Sequence, residues 1–470
     1  MINPKRFNTF LFSIALLGLV FALIIQEFNV TSLAGNDSSR YGMIYTADEP
    51  SYLSPVRNWL ENGTWQDNTE GNGKYFQRPP GYGLIYSVCI LLLGDHAFLG
   101  LKLIHLVVYF FSIVLIGRIL KIFVKKDVPA LLGTTLFAVL PMFHGFMYYP
   151  LTEGVTPFLV LLFLHRVLKE EDRFDYVLLL ITAIILIVRP QLVVLPLLFF
   201  VYFLLKSKRI PAVTLLLGAV PFLLWSIRTV VIEGEWKGLH PIYSKTNVTL
   251  FRPSHEKLTQ LFGIWEYDGE RFHTVVGGLK KANSEQEFEK IMDDVPPRFH
   301  REIKPILFEY KTLLQHPSYG RSEEFRVLED KFIAEAERVR IELIKINRFQ
   351  YHVITPVKSA FYLLTKSQMN LYVFQATWRG NWLIESLRVF SILLINLGFI
   401  AAIWTMLRVK NHRLGVLAIS VLLYFFYLIY FQRMNEERYL TPWLPVLFVL
   451  LTVQLQQFYL MIKLRKGNLQ

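Results

Sequence analysis

The sequence predicts an all-α polytopic membrane protein of about ten transmembrane helices, with loops and a helical insertion on its outer face. Three observations carry this. The chain of 470 residues is 53% hydrophobic and 15% aromatic, above the apolar share of a soluble domain. Uncharged runs recur along it, and roughly 20 apolar residues cross a bilayer as a helix. Its basic surplus, a net charge of +13, gathers in the turns between those runs. That is the distribution of cytoplasmic loops, and no basic-aromatic nucleic-acid motif accompanies it, so nucleic acid is not an expected partner.

The first run, "FNTFLFSIALLGLVFALII" over 7–25, is longer than a signal-peptide core. No small-residue cleavage motif follows closely, so it is expected to stay as the first helix. Nine further spans are expected over 98–123, 128–148, 155–167, 174–188, 192–205, 210–231, 384–407, 414–431 and 439–460. With the N-terminus inside, alternate turns carry Arg118, Lys121, Lys125 and Lys126; Arg166, Lys169 and Arg173; Lys206, Lys208 and Arg209; Arg408, Lys410 and Arg413; and Lys463, Arg465 and Lys466. All fall on the cytoplasmic side. The run "GYGLIYSVCILLLG" over 81–94 reaches only about two-thirds of a spanning length. If it crossed, every later turn would invert, so it is expected as an interfacial or re-entrant helix of the first outer loop, 26–97. Its Cys89 is the chain's single cysteine, which excludes an intrachain disulfide.

Three parts follow: an N-terminal transmembrane module over 1–232, an outer-face insertion over 233–381, and C-terminal transmembrane helices over 382–470. In the insertion, Ser284 and Glu287 read as a capping box. Leu328, Phe332, Ala336, Val339, Leu343 and Ile346 recur at helical spacing. The stretch "FQYHVITPVKSAFYLLTKSQ" reads as lying along the membrane surface. Its histidines His240, His255, His273 and His300 show no metal-ligand spacing. The insertion reads either as a cover over the acceptor or as a support with no ligand contact.

Charge returns to the outer face five times: Asp48 and Glu49 with Arg78; Glu153; Arg189 and Gln191; the insertion; and Glu436, Glu437 and Arg438. Ionisable groups at membrane depth cost roughly 2.5 to 3.5 kcal/mol each on insertion scales, so they tend to be paired or functional. Taken singly, each has an ordinary account. Arg189 and Arg438 read as snorkelling cations, and Glu153 as a helix-start acid capped by Thr152. Asp48 and Glu49 before Pro50 read as a helix start. Arg78-Pro79-Pro80 reads as a stiff lead into the next helix. Together they put a carboxylate base and several cations on one face, the constellation of group transfer with a phosphate leaving group.

The stretches "TADEPSYLSPVRNWLENGTW" and "KYFQRPPGYGLIY", then "PLTEG", "ILIVRPQLVVLPLLF" and "EERYLTPWLPVLF", resemble GT-C glycosyltransferases. They look most like the family 39-type branch of protein O-mannosyltransferases and lipid A aminoarabinose transferases. The resemblance covers most of 1–228 and the last stretch from about 379. It implies a GT-C-type bundle that uses a polyprenyl-phosphate sugar donor and transfers the sugar, with inversion, to an acceptor (lipid, glycan or protein). The active site would lie on the outer face of a bacterial inner membrane.

By the same resemblance, Asp48 would activate the acceptor, Glu49 would support it or hold the acceptor, and Glu153 would be the second catalytic acid. Arg78, Arg189 and Arg438 would bind the donor phosphate, and Tyr52, Tyr82, Gln191 and Glu437 would contact substrate. Gln77 stands where some relatives carry a metal-linked acid, so neither a metal nor another cofactor is expected. Two alternatives stand beside this reading. One is a transporter or flippase of a lipid-linked glycan, though no internal repeat is evident. The other is a metal-dependent oligosaccharide transferase or polymerase.

Overall fold

The computed structural model describes residues 3–33, 37–66, 78–124, 126–169, 171–234, 236, 239, 241–245, 247–248, 250–366, 382–408, 411–433 and 436–467. Among them there are helices and turns and no strand. Six helical stretches are long and apolar enough to cross a membrane: Pro4–Glu27, Gly81–Val124, Arg209–Ile232, Glu385–Leu407, His412–Gln432 and Arg438–Lys463. Four apolar helices are shorter: Asp127–Val139, Thr156–Val167, Tyr176–Val188 and Pro190–Leu205. Large apolar side chains such as Leu17, Leu92, Leu205 and Val231 stand exposed along them, a surface that suits lipid and not water. The chain is a polytopic helical membrane protein.

Its N-terminal part runs α1 (Pro4–Leu33), α2 (Pro50–Asn62), α3 (Gly81–Leu93), α4 (Ala97–Val124), α5 (Asp127–Val139), α6 (Pro141–His144), α7 (Thr156–Val167), α8 (Tyr176–Val188), α9 (Val194–Leu205), α10 (Arg209–Gly218) and α11 (Val220–Glu233). Prolines set many of the breaks. Pro50, Pro141, Pro157 and Pro221 each stand in the first turn of a helix, where the missing N–H costs nothing. Two expected spans are therefore not single helices. The 128–148 stretch is regular helix only to Val139 before Pro141 restarts one turn, and 210–231 divides at Ala219.

Helix α3 is separate from α4, as its length predicts. The chain turns between them at Gly94, whose φ of 54° is open to glycine at no steric cost. Helix α3 packs on α2, α4 and α8. At the α8 seam the contact is backbone to backbone: a Cβ on Gly81 would stand 2.6 Å from the carbonyl carbon and oxygen of Ile187 and from the nitrogen of Val188. This seam sets the distance between two functional candidates, because Arg78 immediately precedes it on one side and Arg189 immediately follows it on the other.

The insertion holds α12 (Pro253–Phe262), α13 (Gly269–Lys281), α14 (Glu285–Met292), α15 (His300–Leu314), α16 (Glu323–Ile346) and α17 (Thr355–Thr365). Leu258, Phe262, Phe272, Tyr310 and Phe332 belong to a second core, distinct from that of the bundle. The Ser284–Glu287 capping box is formed. The expected stripe on α16 is corrected at both ends: Leu328 and Ile346 are exposed, while Phe325, Glu329, Phe332, Ala336, Val339 and Leu343 are buried. Counting from Phe325, the inward position one turn on falls at Glu329. That carboxylate meets the fully buried Arg252, Nε to Oε1 at 3.0 Å and Nη2 to Oε2 at 2.5 Å. A buried charge survives only when paired, so the salt bridge takes the place an apolar residue would have held.

The chain ends with α18 (Trp382–Leu407), α19 (His412–Phe426) and α20 (Leu444–Gly467), packed on one another and, through α20, on α4 and α5. Gly81→Ala is expected to lower stability by about 1–3 kcal/mol through overpacking, because a backbone cannot step aside as a side chain can. Thermal unfolding in detergent measures this; a Gly81→Ala protein that melts like the wild type would contradict the seam.

Candidate functional site

Five segments end at one place. The loop before α2 brings Asp48, the lead into α3 brings Arg78, and the turn before α7 brings Thr152 and Glu153. The break after α8 brings Arg189 and Gln191, and the turn before α20 brings Arg438 and Tyr439. They line one cavity. Helix α11 supplies another wall through Phe222, Trp225, Ser226 and Thr229, and the start of the insertion closes over it with Leu239, Pro241 and Ile242. Gln191 ties the two together, its Nε2 donating to the carbonyl of Leu239 at 3.2 Å. The insertion thus contacts the cavity directly.

Asp48 holds a guanidinium on each of its oxygens. Arg438 Nη2 binds Oδ2, and Arg78 Nη2 lies 3.4 Å from Oδ1. Arg78 also reaches Ser51 Oγ with its Nε at 3.4 Å and lies over the Tyr52 ring, 5.1 Å from its centre. Arg438 divides itself, its Nε 2.7 Å from Glu436 Oε2. Beside them, Arg189 Nη1 donates to Glu153 Oε1 at 2.9 Å and to Thr152 Oγ1 at 3.3 Å. The Tyr439 ring stands between the two systems, 5.5 Å from the Arg189 guanidinium and 5.6 Å from that of Arg438. Three cations face three carboxylates.

The electrostatics follow from that count. Burial by itself would raise Asp48, but Arg438 and then Arg78 hold it down to about 2. Burial likewise opposes ionisation of Glu153, and Arg189 outweighs it, leaving this carboxyl below its ordinary range. Glu436 goes the other way. Burial pushes it up, and the pull of Arg438 does not offset that while Asp48 and Glu153 stand nearby.

Seven of the expected site residues come together: Asp48, Tyr52, Arg78, Glu153, Arg189, Gln191 and Arg438. Arg189 and Arg438 are each only 6% exposed, so neither is a snorkelling cation. Thr152 is not a helix cap, since α7 starts later and has no side-chain cap; its hydroxyl donates to Glu153 Oε2 at 3.1 Å. Two expected residues stand elsewhere. Glu49 turns from Asp48 and binds Arg40, Nη2 to Oε2 at 2.5 Å, because neighbours entering a helix do not face the same way. Tyr82 is fully buried behind the cavity, its hydroxyl 3.2 Å from His105 Nε2 and its ring edge-on to Tyr52. The side chain of Glu437 and the residues Gln77, Lys125, His240 and Lys410 lie outside the described residues. Of the remaining insertion histidines, His255 is buried against the Tyr310 hydroxyl at 2.9 Å and His300 meets the Val295 carbonyl at 2.7 Å.

Sequence reasoning placed Glu436 on the outer face without giving it a site role, and missed Tyr439 and the α11 wall. For the wall a signal was present: Phe222, Trp225, Ser226 and Thr229 recur at three, one and three, a single face of a helix. No family model, curated protein or solved structure matches this chain. Glu153→Ala is expected to cost about 3–5 kcal/mol, because it strands the Arg189 charge in the interior, with Glu153→Gln costing less. Thermal unfolding of the two variants decides it; equal melting of Glu153→Ala and wild type would refute the pair's role.

Proposed function

We propose that the chain is a membrane glycosyltransferase that moves a sugar from a polyprenyl-phosphate donor to an acceptor hydroxyl, with inversion, on the outer face of a bacterial inner membrane. The observation that carries this reading is Asp48 gripped on both oxygens by Arg78 and Arg438 inside one cavity. A base and the cations for a leaving phosphate are then within one side chain of each other.

The helix count supports the same reading. Six long and four shorter apolar helices would supply the crossings of a GT-C-type bundle, with α3 as the re-entrant helix. The basic turns meet at the end away from the cavity, where Arg166 binds Asp175 at 2.6 Å and Arg413 donates to the Leu168 carbonyl at 3.1 Å. By the bias of basic residues to the inside, that end is cytoplasmic and the cavity opens outward.

The step balances as follows. The acceptor oxygen attacks the anomeric carbon from the face opposite the phosphate, and its proton passes to Asp48. The bond from the anomeric carbon to the phosphate oxygen breaks, and its electron pair stays on the phosphate, which becomes a dianion. Guanidiniums match phosphate oxygens in planar pairs and remain charged at any working pH, so Arg78 and Arg438 stabilise that growing charge. Arg189, held by Glu153, completes the cationic wall.

The pairing of Asp48 has a consequence for order. A carboxylate held near 2 by two cations is a weak base. The donor phosphate competes for those cations, and as they shift toward it the carboxylate is released and becomes more basic. Donor binding therefore precedes a competent base, which keeps the site idle until the donor is present.

Two measurements test the proposal. In transfer from a polyprenyl-phosphate sugar, Asp48→Asn is expected to lose on the order of a hundred- to ten-thousand-fold in rate while staying folded. Arg78→Ala is expected to bind polyprenyl phosphate weakly, with Lys rescuing only in part because it lacks the fork. Wild-type turnover in folded Asp48→Asn would sink the assignment. The pH profile supplies the second measurement. Asp48 stays ionised down to about 2 and gives no limb near neutrality. Glu436, raised by burial, takes its proton first as pH falls and loosens its hold on Arg438. The acid limb of kcat/KM, which reports the free enzyme, is expected to belong to Glu436 and to vanish in Glu436→Gln. An unchanged limb in that variant would refute this.

A further inference from the structure

At the opposite end of the same helices the structure leaves a second opening. A crevice runs between α1, α4, α7 and α8. Along α4 it is lined by Phe111, Leu115 and Arg118, and along α7 by Phe158, Leu162 and His165. Each set advances by four and then three residues, so each lies on one helix face. Both faces change from apolar to polar at the same depth. From Glu153 to His165 the chain advances about 18 Å at helical rise, which separates the crevice from the cavity described above.

The polar side chains at its end differ in how they are used. Arg166 is spent on Asp175, with Nε and Nη2 both donating to Oδ2 at 3.0 and 2.6 Å. Arg118 and His165 make no hydrogen bond or ion pair among the described residues. Arg118 is thus a cation at the end of an apolar crevice with no carboxylate beside it among the described residues, and the His165 imidazole next to it can donate a hydrogen bond to an anion placed there. Below them the lining is hydrocarbon, and Phe111 remains 43% exposed.

We propose that this crevice is a binding site for an anionic phospholipid, the headgroup phosphate between Arg118 and His165 and an acyl chain against Phe111, Leu115, Phe158 and Leu162. A free phosphate would answer the charges and leave the hydrocarbon bare. A zwitterionic lipid would cover the hydrocarbon and bring a cation of its own to the arginine. Only an anionic lipid satisfies both halves, and basic pockets between membrane helices at the cytoplasmic side suit such headgroups. The bound lipid would fasten α1, α4, α7 and α8, the helices whose far ends carry Glu153 and Arg189. This proposal does not depend on the transferase reading.

The test uses the full chain reconstituted in phosphatidylcholine bilayers with rising fractions of phosphatidylglycerol, and reads thermal unfolding and retained lipid by native mass spectrometry. The melting temperature is expected to rise with phosphatidylglycerol. Arg118→Gln is expected to weaken retention roughly fivefold, the worth of one basic residue at an anionic surface, while Arg118→Lys keeps it. Leu162→Trp, which fills the apolar part and leaves Arg118 and His165, is expected to lose the response as well. That keeps the proposal testable if Arg118→Gln does not fold. Equal stabilisation by phosphatidylcholine alone, retention unchanged in Arg118→Gln, or full stabilisation by inorganic phosphate added to phosphatidylcholine bilayers would each overturn it.

Discussion

A charge taken out of water must find its opposite nearby, and in this protein that condition is met at one point by three guanidiniums and three carboxylates. Asp48, Glu153 and Glu436 face Arg78, Arg189 and Arg438. Asp48, Arg78 and Arg438 come from three separate segments, so their cluster exists only if those segments end at the same height. The close seam of α3 on α8, the proline-set starts of α2, α7 and α11, and the turn before α20 all serve that requirement. Such groups add little net stability, since the desolvation of paired ions offsets most of their attraction. Their balance is what fixes the geometry, because displacing any one leaves a partner unpaired in a dry interior.

The balance also makes the cavity responsive. With equal numbers of cations and anions, the resting site is satisfied and has no use for a further ion. The proposed donor, a phosphodiester, would change the count by one, and the arginines would then be shared among four anions. The side chain with two cations in hand, Asp48, has the most to give. The same arithmetic separates Asp48 from its neighbour Glu49, which has Arg40 to itself at the other side of the loop and takes no part in the exchange.

Much of this was legible in the sequence, for reasons that can be named. Helices announce themselves by apolar length and by prolines at their starts, and the breaks at Pro50 and Pro79-Pro80 fell where the residue chemistry puts them, whereas the one at Pro141 lay inside an expected span. Capping at Ser284 and Glu287 is local and was readable. The convergence of Asp48, Arg78, Glu153, Arg189 and Arg438 followed from asking which charges share a face. What was not legible depended on rotation or on distance. Adjacent acids at a helix start diverge, which removed Glu49. A tyrosine at the right depth pointed inward, which removed Tyr82. On α16 the inward face carried Glu329, because its partner Arg252 lies far away in sequence.

Helix α11 shows both of its sides. Phe222, Trp225, Ser226 and Thr229 look into the cavity, while Leu224, Ile227 and Val231 are exposed on the other side. The partition between a charged chamber and the surrounding hydrocarbon is then a single helix, about 10 Å across. Such a wall is too thin to insulate and thick enough to sort. A molecule with one ionic end and one oily end can rest astride it with each end in its own phase, and the work of extracting it from the bilayer is never done.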